Sequence, residues 1–290
     1  MEVVMSIQEE AVLVRLSISQ WTARKFDKVV SEETARRYNA SPDAGRYNKV
    51  LIAKEAISEI SRVASEARDF HYKNTVPWDD GGSRLLPSKN FMEYTKQMRE
   101  FRSRFDEVWN RFVSEQYLDL KEKARESLRY MFREDDYPSK NELYSKYSFD
   151  VDIDPVPSAS DFRVSLSDKE KSRIQKELEA RVNERLVDVT RDLFDRLIEV
   201  IGRFVDKLSE ADTIFRNSLV TNIEDLVVLL PKLNINNDPT LKKAISEIKA
   251  KVLVYEPDQL RSDKDARKTA AKDAKAILDK MSGYLGSVKA

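Results

Sequence analysis

The chain has 290 residues, with 51 Lys plus Arg against 51 Asp plus Glu, one His and no Cys. Those counts exclude disulfides, thiol nucleophiles, zinc knuckles and multi-His metal sites, and a net charge of zero leaves no global field drawing the chain onto nucleic acid or anionic lipid. Charged residues make up 35% of the chain and glycine occupies only six positions, a balance that favours long solvent-washed helices over compact α/β layers.

Along the chain, Val12, Val14, Leu16 and Ile18 alternate with Leu13, Arg15 and Ser17, the period of a half-buried strand. From Trp21 the pattern turns helical through Phe26, Val29, Val30 and Ala35 and fades at Tyr38-Asn39. Ser41-Pro42-Asp43 predicts a turn and a new helix capped by Asp43. That helix runs to about Tyr72, with Tyr47, Val50, Leu51, Ile57, Ile60, Ala64, Ala67 and Phe70 on its buried side. Residues 74–90 form one long breaker-rich connection. Beyond it, Phe91, Tyr94, Met98, Phe101, Phe105, Val108 and Phe112 step by three and four, a coiled-coil period loaded with aromatics. A further helix spans Tyr117 to about Phe132.

Residues 134–167 are acidic, with eight Asp or Glu against three Lys or Arg. Phe149, Val151 and Ile153 alternate with Asp150, Asp152 and Asp154, and Phe162, Val164 and Leu166 alternate with Arg163 and Ser165, predicting two strands with Val12–Ile18 as a third. Asp168 to about Leu208 reads as one helix of roughly 60 Å. Three series recur every eleven positions: Leu178–Val189–Val200, Val182–Leu193–Phe204 and Leu186–Leu197–Leu208. Asp212 or Thr213 is a candidate cap for a helix through Ile214, Phe215 and Leu219, ended by Pro231; Asp238-Pro239 restarts a helix. Pro257 opens a short helical turn, and the Ala-rich stretch from about Lys264 to Gly283 buries little apart from Ile277, Leu278, Met281 and Tyr284 and is a candidate mobile or partner-docking helix. The expected fold is mainly α: an elongated helical bundle with long antiparallel coiled-coil-like helices and a small antiparallel β-sheet. Its segments are 1–133, 134–167 and 168–290 of one elongated domain. The start, Met1-Glu2-Val3-Val4-Met5, lacks a signal-peptide pattern, and no run approaches ~18 apolar residues, so the expected location is the cytoplasm with no membrane contact.

Several stretches together carry a resemblance: Ser17-Ile18-Ser19-Gln20-Trp21-Thr22-Ala23-Arg24-Lys25, Asp43-Ala44-Gly45-Arg46-Tyr47-Asn48-Lys49, Trp78–Leu86, Asn90-Phe91-Met92-Glu93-Tyr94, Asp161-Phe162-Arg163-Val164 and Phe215-Arg216-Asn217-Ser218-Leu219. The chain resembles a family of helical proteins carried by tailed phages and integrating mobile elements. Its Trp-x-Ala-Arg-Lys stretch after a strand is similar to a broader group whose genes lie near MoxR- or CobS-type AAA+ ATPases. The resemblance implies a phage setting and DNA metabolism, and carries over no catalytic residues.

Candidate sites follow from residue type. Trp78, Asp79, Asp80 and Arg84 concentrate an aromatic, two carboxylates and a guanidinium near two glycines, the chemistry of a partner contact. The competing structural reading is an ordered crossover loop in which Trp78 packs and Asp79 or Asp80 pairs with Arg84. Gly81-Gly82 lacks the Gly-Lys-Ser/Thr ending of a phosphate loop. Asp150, Asp152 and Asp154 share one strand face, where acidic residues routinely block edge pairing. Arg99, Arg102, Arg129 and Arg133 are the nucleic-acid candidates, weighed against a solvated face laced with ion pairs. No catalytic residue, metal ligand or cofactor is assigned. The leading functional expectation is a non-enzymatic scaffold or adaptor that binds a protein partner, an AAA+ ATPase by the resemblance, in replication, recombination or counter-defence. Self-association is compatible with it, and the alternative is a nucleic-acid-binding recombination accessory.

Overall fold

The computed structural model describes residues 7–157, 167–210 and 214–288. It is mainly helical with a small antiparallel sheet. A helical turn, α1 (Ile7–Glu10), leads into β1 (Ala11–Ser19), then β2 (Arg24–Phe26), α2 (Lys28–Arg37), β3 (Asn48–Val50) and α3 (Ser58–Asn74). A short hairpin of β4 (Val76–Pro77) and β5 (Arg84–Pro87) precedes α4 (Ser88–Arg111), a π-helical turn at Phe112–Gln116 and α5 (Tyr117–Leu128). Next come α6 (Lys140–Ser145) and β6 (Ser148–Pro155). Helices α7 (Asp168–Ser209), α8 (Ser218–Leu233), α9 (Pro239–Lys251), α10 (Pro257–Ser262) and α11 (Lys264–Val288) follow.

The predicted strand at Val12–Ile18 is β1, which pairs antiparallel with β5, Val12 opposite Leu86 and Leu13 opposite Leu85. The four-stranded order is β4-β5-β1-β6, and β2 and β3 form a second, two-stranded sheet. The predicted strand at 162–166 lies outside the described residues. Backbone contacts divide the chain into two units, one of residues 1–15, 72–94 and 153–290, the other of 16–71 and 95–152. These do not follow the compositional boundaries at 133 and 167, because strand pairing joins residues remote in sequence.

In the first unit, the 42 residues of α7 run unbroken through Gly202, as the eleven-residue series predicts. Val189, Leu193, Leu197, Phe204 and Leu208 of those series are buried, joined by Phe194, Ile201 and Val205. The buried face is wider than one stripe because both α8 and α11 pack on α7. Helix α11 runs antiparallel to α7. At one end Arg267 donates to the carbonyls of Leu208 (3.0 Å), Lys207 (2.9 Å) and Glu210 (2.8 Å), and at the other the Tyr284 and Phe194 rings lie 5.0 Å apart. The expectation of a loosely attached final helix is therefore corrected. Ala266, Ala270, Ala271 and Ala274 are buried with Ile277 and Met281, and small side chains let the backbones approach closely where large ones would hold them apart. Asp238 caps α9 through the Leu241 amide at 2.8 Å, with Pro239 at the first helical position, as predicted. Helix α8 starts later than expected, at Ser218, and tolerates Pro231 inside its last turn. Ile214 is exposed and Phe215 is buried outside any helix.

The second unit packs on aromatics. Phe101, Phe105 and Phe112 of the predicted seam are buried, with Trp109 buried in place of the half-buried Val108; Phe105 lies 5.7 Å from Phe149 and Trp109 stacks on Tyr147. Helix α3 lies antiparallel to α4 here, since Phe70 meets Phe101 while Glu66 pairs with Arg104 and Glu59 with Arg111. Two predictions fail. Residues 43–57 are not α-helical: they hold an exposed loop, β3 and a 3₁₀ turn at Lys54–Ile57, and Tyr47 and Val50 are exposed. Arg24–Phe26 is strand rather than helix, because its backbone pairs with Asn48–Val50. Among the described residues no helix is long and apolar enough to cross a membrane.

The seating of α11 on its buried alanine face is directly testable. Ala270→Leu and Ala274→Leu should each lower the unfolding free energy by about 1–3 kcal/mol through overpacking. Lys272→Leu on the exposed side of the same helix should change it by less than about 0.5 kcal/mol. Urea midpoints read both, and equal losses at all three positions would show that α11 is not seated by its alanine face.

Candidate functional site

The chemistry of the second unit gathers where β2, α2 and β3 meet. Asp27 ends β2's run and caps α2, its carboxylate accepting from the Val30 amide at 3.2 Å. Its backbone amide donates to the Tyr47 carbonyl at 3.0 Å, and the Ser31 hydroxyl donates to the Asp27 carbonyl (2.7 Å) while accepting from the Tyr47 amide (2.9 Å). These bonds stitch the start of β3 to the first turn of α2. The Leu51 amide continues the stitching by donating to the Ala23 carbonyl at 2.9 Å, with Ala23 in the left-handed region at φ 51°.

The antiparallel register sets Lys25 opposite Lys49 and Phe26 opposite Asn48. Period two then sends Lys49 inward while its neighbours Asn48 and Val50 face solvent. Lys49 is 2% exposed, and its ammonium meets the Asp136 carboxylate at 2.5 Å, the Met131 carbonyl at 2.8 Å and the Asp27 carboxylate at 3.4 Å. The Tyr137 hydroxyl donates to the Leu51 carbonyl at 2.9 Å, so residues 131–137 grip β3 from a second side. The Val30 amide first, and then Lys49 and Arg133, hold the Asp27 carboxyl below the ordinary aspartate value of 3.8. Burial pushes the Tyr137 phenol up to about 12.

Above this anchored frame lies a cavity of about 360 Å³, between the face of α2 that carries Ser31, Thr34, Ala35 and Tyr38 and the loop that returns through Ala40, Ala44 and Tyr47. Ser31, Thr34, Ala35 and Tyr38 lie at steps of three, one and three, one face of a helix. Small side chains on both walls leave the hollow open. Tyr38 and Tyr47 at its rim are 74% and 41% exposed, and the Arg46 guanidinium sits 4.9 Å from the centroid of the Phe26 ring, itself 42% exposed. This group of residues escaped the sequence analysis, which placed Tyr47 and Val50 inside a helix. The signals present were Gly45, and the β-branched and aromatic run from Tyr47 to Ile52. Two of the stretches quoted for the resemblance, around Trp21–Lys25 and Asp43–Lys49, are the two that the β2–β3 pairing joins.

The candidate at the β4–β5 turn divides. Trp78 is 4% exposed in the core of the first unit, with Arg185 5.1 Å from its ring, so the ring is not a surface group. Asp79 closes the hairpin turn by accepting from the Ser83 amide at 3.1 Å, Gly82 follows the turn at φ 88°, and Asp80 is exposed. Arg84 joins neither carboxylate. It donates to the Thr75 hydroxyl (2.7 Å) and carbonyl (3.1 Å) and lies over the Tyr72 ring. Arg196 reaches the same Thr75 carbonyl at 2.7 Å and pairs with Asp192 at 2.8 Å. Burial raises the Asp192 carboxyl while Arg196 and Arg84 draw it back down. Arg99 and Arg102 are exposed on α4; Arg129, at φ 47°, and Arg133 are exposed in the stretch that grips β3, beside a fully exposed Tyr130. Asp150, Asp152 and Asp154 are exposed on β6, and His71 is buried at 3%.

Set against protein-family models, curated proteins and solved structures, the chain matches none of them.

Removing the buried ammonium should be costly. Lys49→Ala leaves Asp27 and Asp136 facing each other without a cation and should destabilise the fold by roughly 3–5 kcal/mol. Asp27 is held below its unfolded value, so its contribution is present above that value and lost as pH falls through the folded one. Between about pH 4 and pH 2, stability should therefore drop less steeply in Asp27→Asn than in the unaltered chain. Urea titrations across that range read both effects, and parallel acid limbs would remove Asp27 from the account.

Proposed function

We propose that the chain is a non-enzymatic adaptor that binds a protein partner through the face made by β2, α2, the loop after it and β3. The observation that carries this reading is the grouping of three exposed aromatic rings, Phe26, Tyr38 and Tyr47, with Arg46 around an open cavity on a rigidly anchored frame. Tyrosine and arginine beside a pocket are the residue types that dominate binding energy at protein interfaces. A frame already fixed by the Ser31, Asp27 and Lys49 bonds leaves little to be ordered on binding. In this reading the paired long helices of the first unit are a coiled-coil-like scaffold. The phage setting and the AAA+ ATPase are the partner context suggested by the resemblance.

A second reading is favoured by one observation. Among the described residues, Arg24, Lys25, Arg37 and Arg46 have no carboxylate within 4.0 Å, and exposed aromatics beside free cations suit single-stranded nucleic acid as well.

The double substitution Tyr38→Ala/Tyr47→Ala separates these outcomes, since both rings are exposed and the fold should survive their loss. Affinity purification of the tagged chain from its native host should recover a stoichiometric protein that the double variant loses, with the melting temperature unchanged. Recovery undiminished by the variant would move the interface elsewhere. Binding to single-stranded DNA that weakens steeply with salt would replace the protein reading by the nucleic-acid one.

A further inference from the structure

Resting on that reading, we infer that the cavity between α2 and the loop of residues 38–47 is a socket for one bulky apolar side chain of an acidic peptide segment, whose carboxylates pair with Arg46 and its neighbouring cations. Three observations carry it. The first is shape: a volume of about 360 Å³ falls within the range of ligand pockets, roughly 300–1,000 Å³. Four of its lining residues, Ala35, Ala40, Ala44 and Gly45, are small.

The second is polarity. Of the four hydroxyls in the lining, the two on the helix wall are already engaged, that of Ser31 with the Asp27 carbonyl and the Tyr47 amide, that of Thr34 with the Val30 carbonyl at 2.8 Å, and those of Tyr38 and Tyr47 stand at the exposed rim. A nucleobase seated against the helix wall would lose water from its ring donors and acceptors and find only the rim groups of Tyr38, Tyr47 and Arg46 to replace it, which disfavours it. An aliphatic or aromatic side chain gives up nothing of that kind.

The third is charge. Residues 24–50 carry seven basic groups (Arg24, Lys25, Lys28, Arg36, Arg37, Arg46 and Lys49) and four acidic ones (Asp27, Glu32, Glu33 and Asp43). Asp27 is committed to Lys49, and Glu32 lies 3.6 Å from Lys28. Arg46 at the cavity wall faces an aromatic ring rather than a carboxylate. An acidic segment restores the balance and is steered to the site by it.

Panning the full-length chain against a display library of random linear peptides tests this. The enriched peptides should share an aromatic or leucine residue flanked by Asp or Glu. Gly45→Leu and Ala44→Trp fill the socket from the loop side; a side chain at Gly45 meets no atom within 4 Å, so folding should be retained and circular dichroism checks it. Each should weaken a labelled consensus peptide about 10- to 100-fold, the loss expected when one well-buried apolar side chain is denied its pocket. Arg46→Glu should weaken it further as salt is lowered. Peptides that bind the filled variants as well as the unaltered chain would overturn the socket while leaving the adaptor reading in place. No enriched peptide, together with oligo-dT binding abolished by Arg46→Glu, would overturn both.

Discussion

A single buried ammonium governs the geometry of the face made by β2, α2 and β3. Taking a lysine charge out of water costs several kcal/mol, and that cost is offset only where partners reach it with good geometry. Lys49 meets this requirement through Asp136, Asp27 and the Met131 carbonyl. Two carboxylates about one ammonium leave an excess of negative charge, which Arg133 and the amide end of α2 offset, since Asp27 is also the α2 cap. The consequence is register. Slipping β3 by one residue would bring Asn48 or Val50 inward and expel the lysine, so the strand has one acceptable alignment. With β3 fixed, Tyr47 is fixed, and with it the returning end of the loop that walls the cavity.

The two units differ in the side chains that their long helices bury. Helix α11 packs on α7, α9 and α10 with a buried face rich in alanines, and dispersion between closely approaching backbones compensates for the small apolar area each alanine offers. The carbonyl end of α7 is closed by the Arg267 guanidinium, which places a cation where the helix dipole favours it. In the second unit α4 presents rings instead: Phe101 meets Phe70 of α3, while Phe105 and Trp109 pack on Phe149 and Tyr147. Backbone carbonyls take a similar role around Arg84 and Arg196. Their two positive charges face one carboxylate, Asp192, and the balance comes from the carbonyls of Lys73 and Thr75 at and just beyond the end of α3.

What could be read from the sequence was what local chemistry determines. The eleven-residue series of α7 and the Asp238-Pro239 start of α9 are helical signals complete within a few turns, and both stand as read. The alternation of Val12–Ile18 was equally self-contained. The stretch from Arg24 to Val50 was not, because strands of three residues are too short to display period two, and Phe26, Val29 and Val30 imitate helical spacing. Burial of Lys49 had no local sign at all, since Asp136 and Met131 are more than eighty residues away in the chain. Helix α11 was misjudged for a different reason: hydrophobicity ranks alanine low, whereas its value at a helix contact lies in what it lets approach. Trp78 drew attention as an uncommon residue in a breaker-rich stretch, and its ring is spent on the core.

The loop over the cavity is the feature that packing alone does not explain. Ten residues separate α2 from β3, where connections in compact domains have a median of about 4–6. Both ends are tied, one through the Ala40 amide to the Ala35 carbonyl, the other through Tyr47 to Ser31 and Asp27. Between the ties the side chains are small or polar and stay exposed. A loop shaped for stability alone would be shortened, or would carry a leucine into the hollow to cover its apolar lining. Keeping it open costs the isolated chain contacts that a guest side chain could restore. That trade supports the proposed adaptor reading, and it favours the short β2–α2–β3 frame over the long helices that dominate the sequence as the interface.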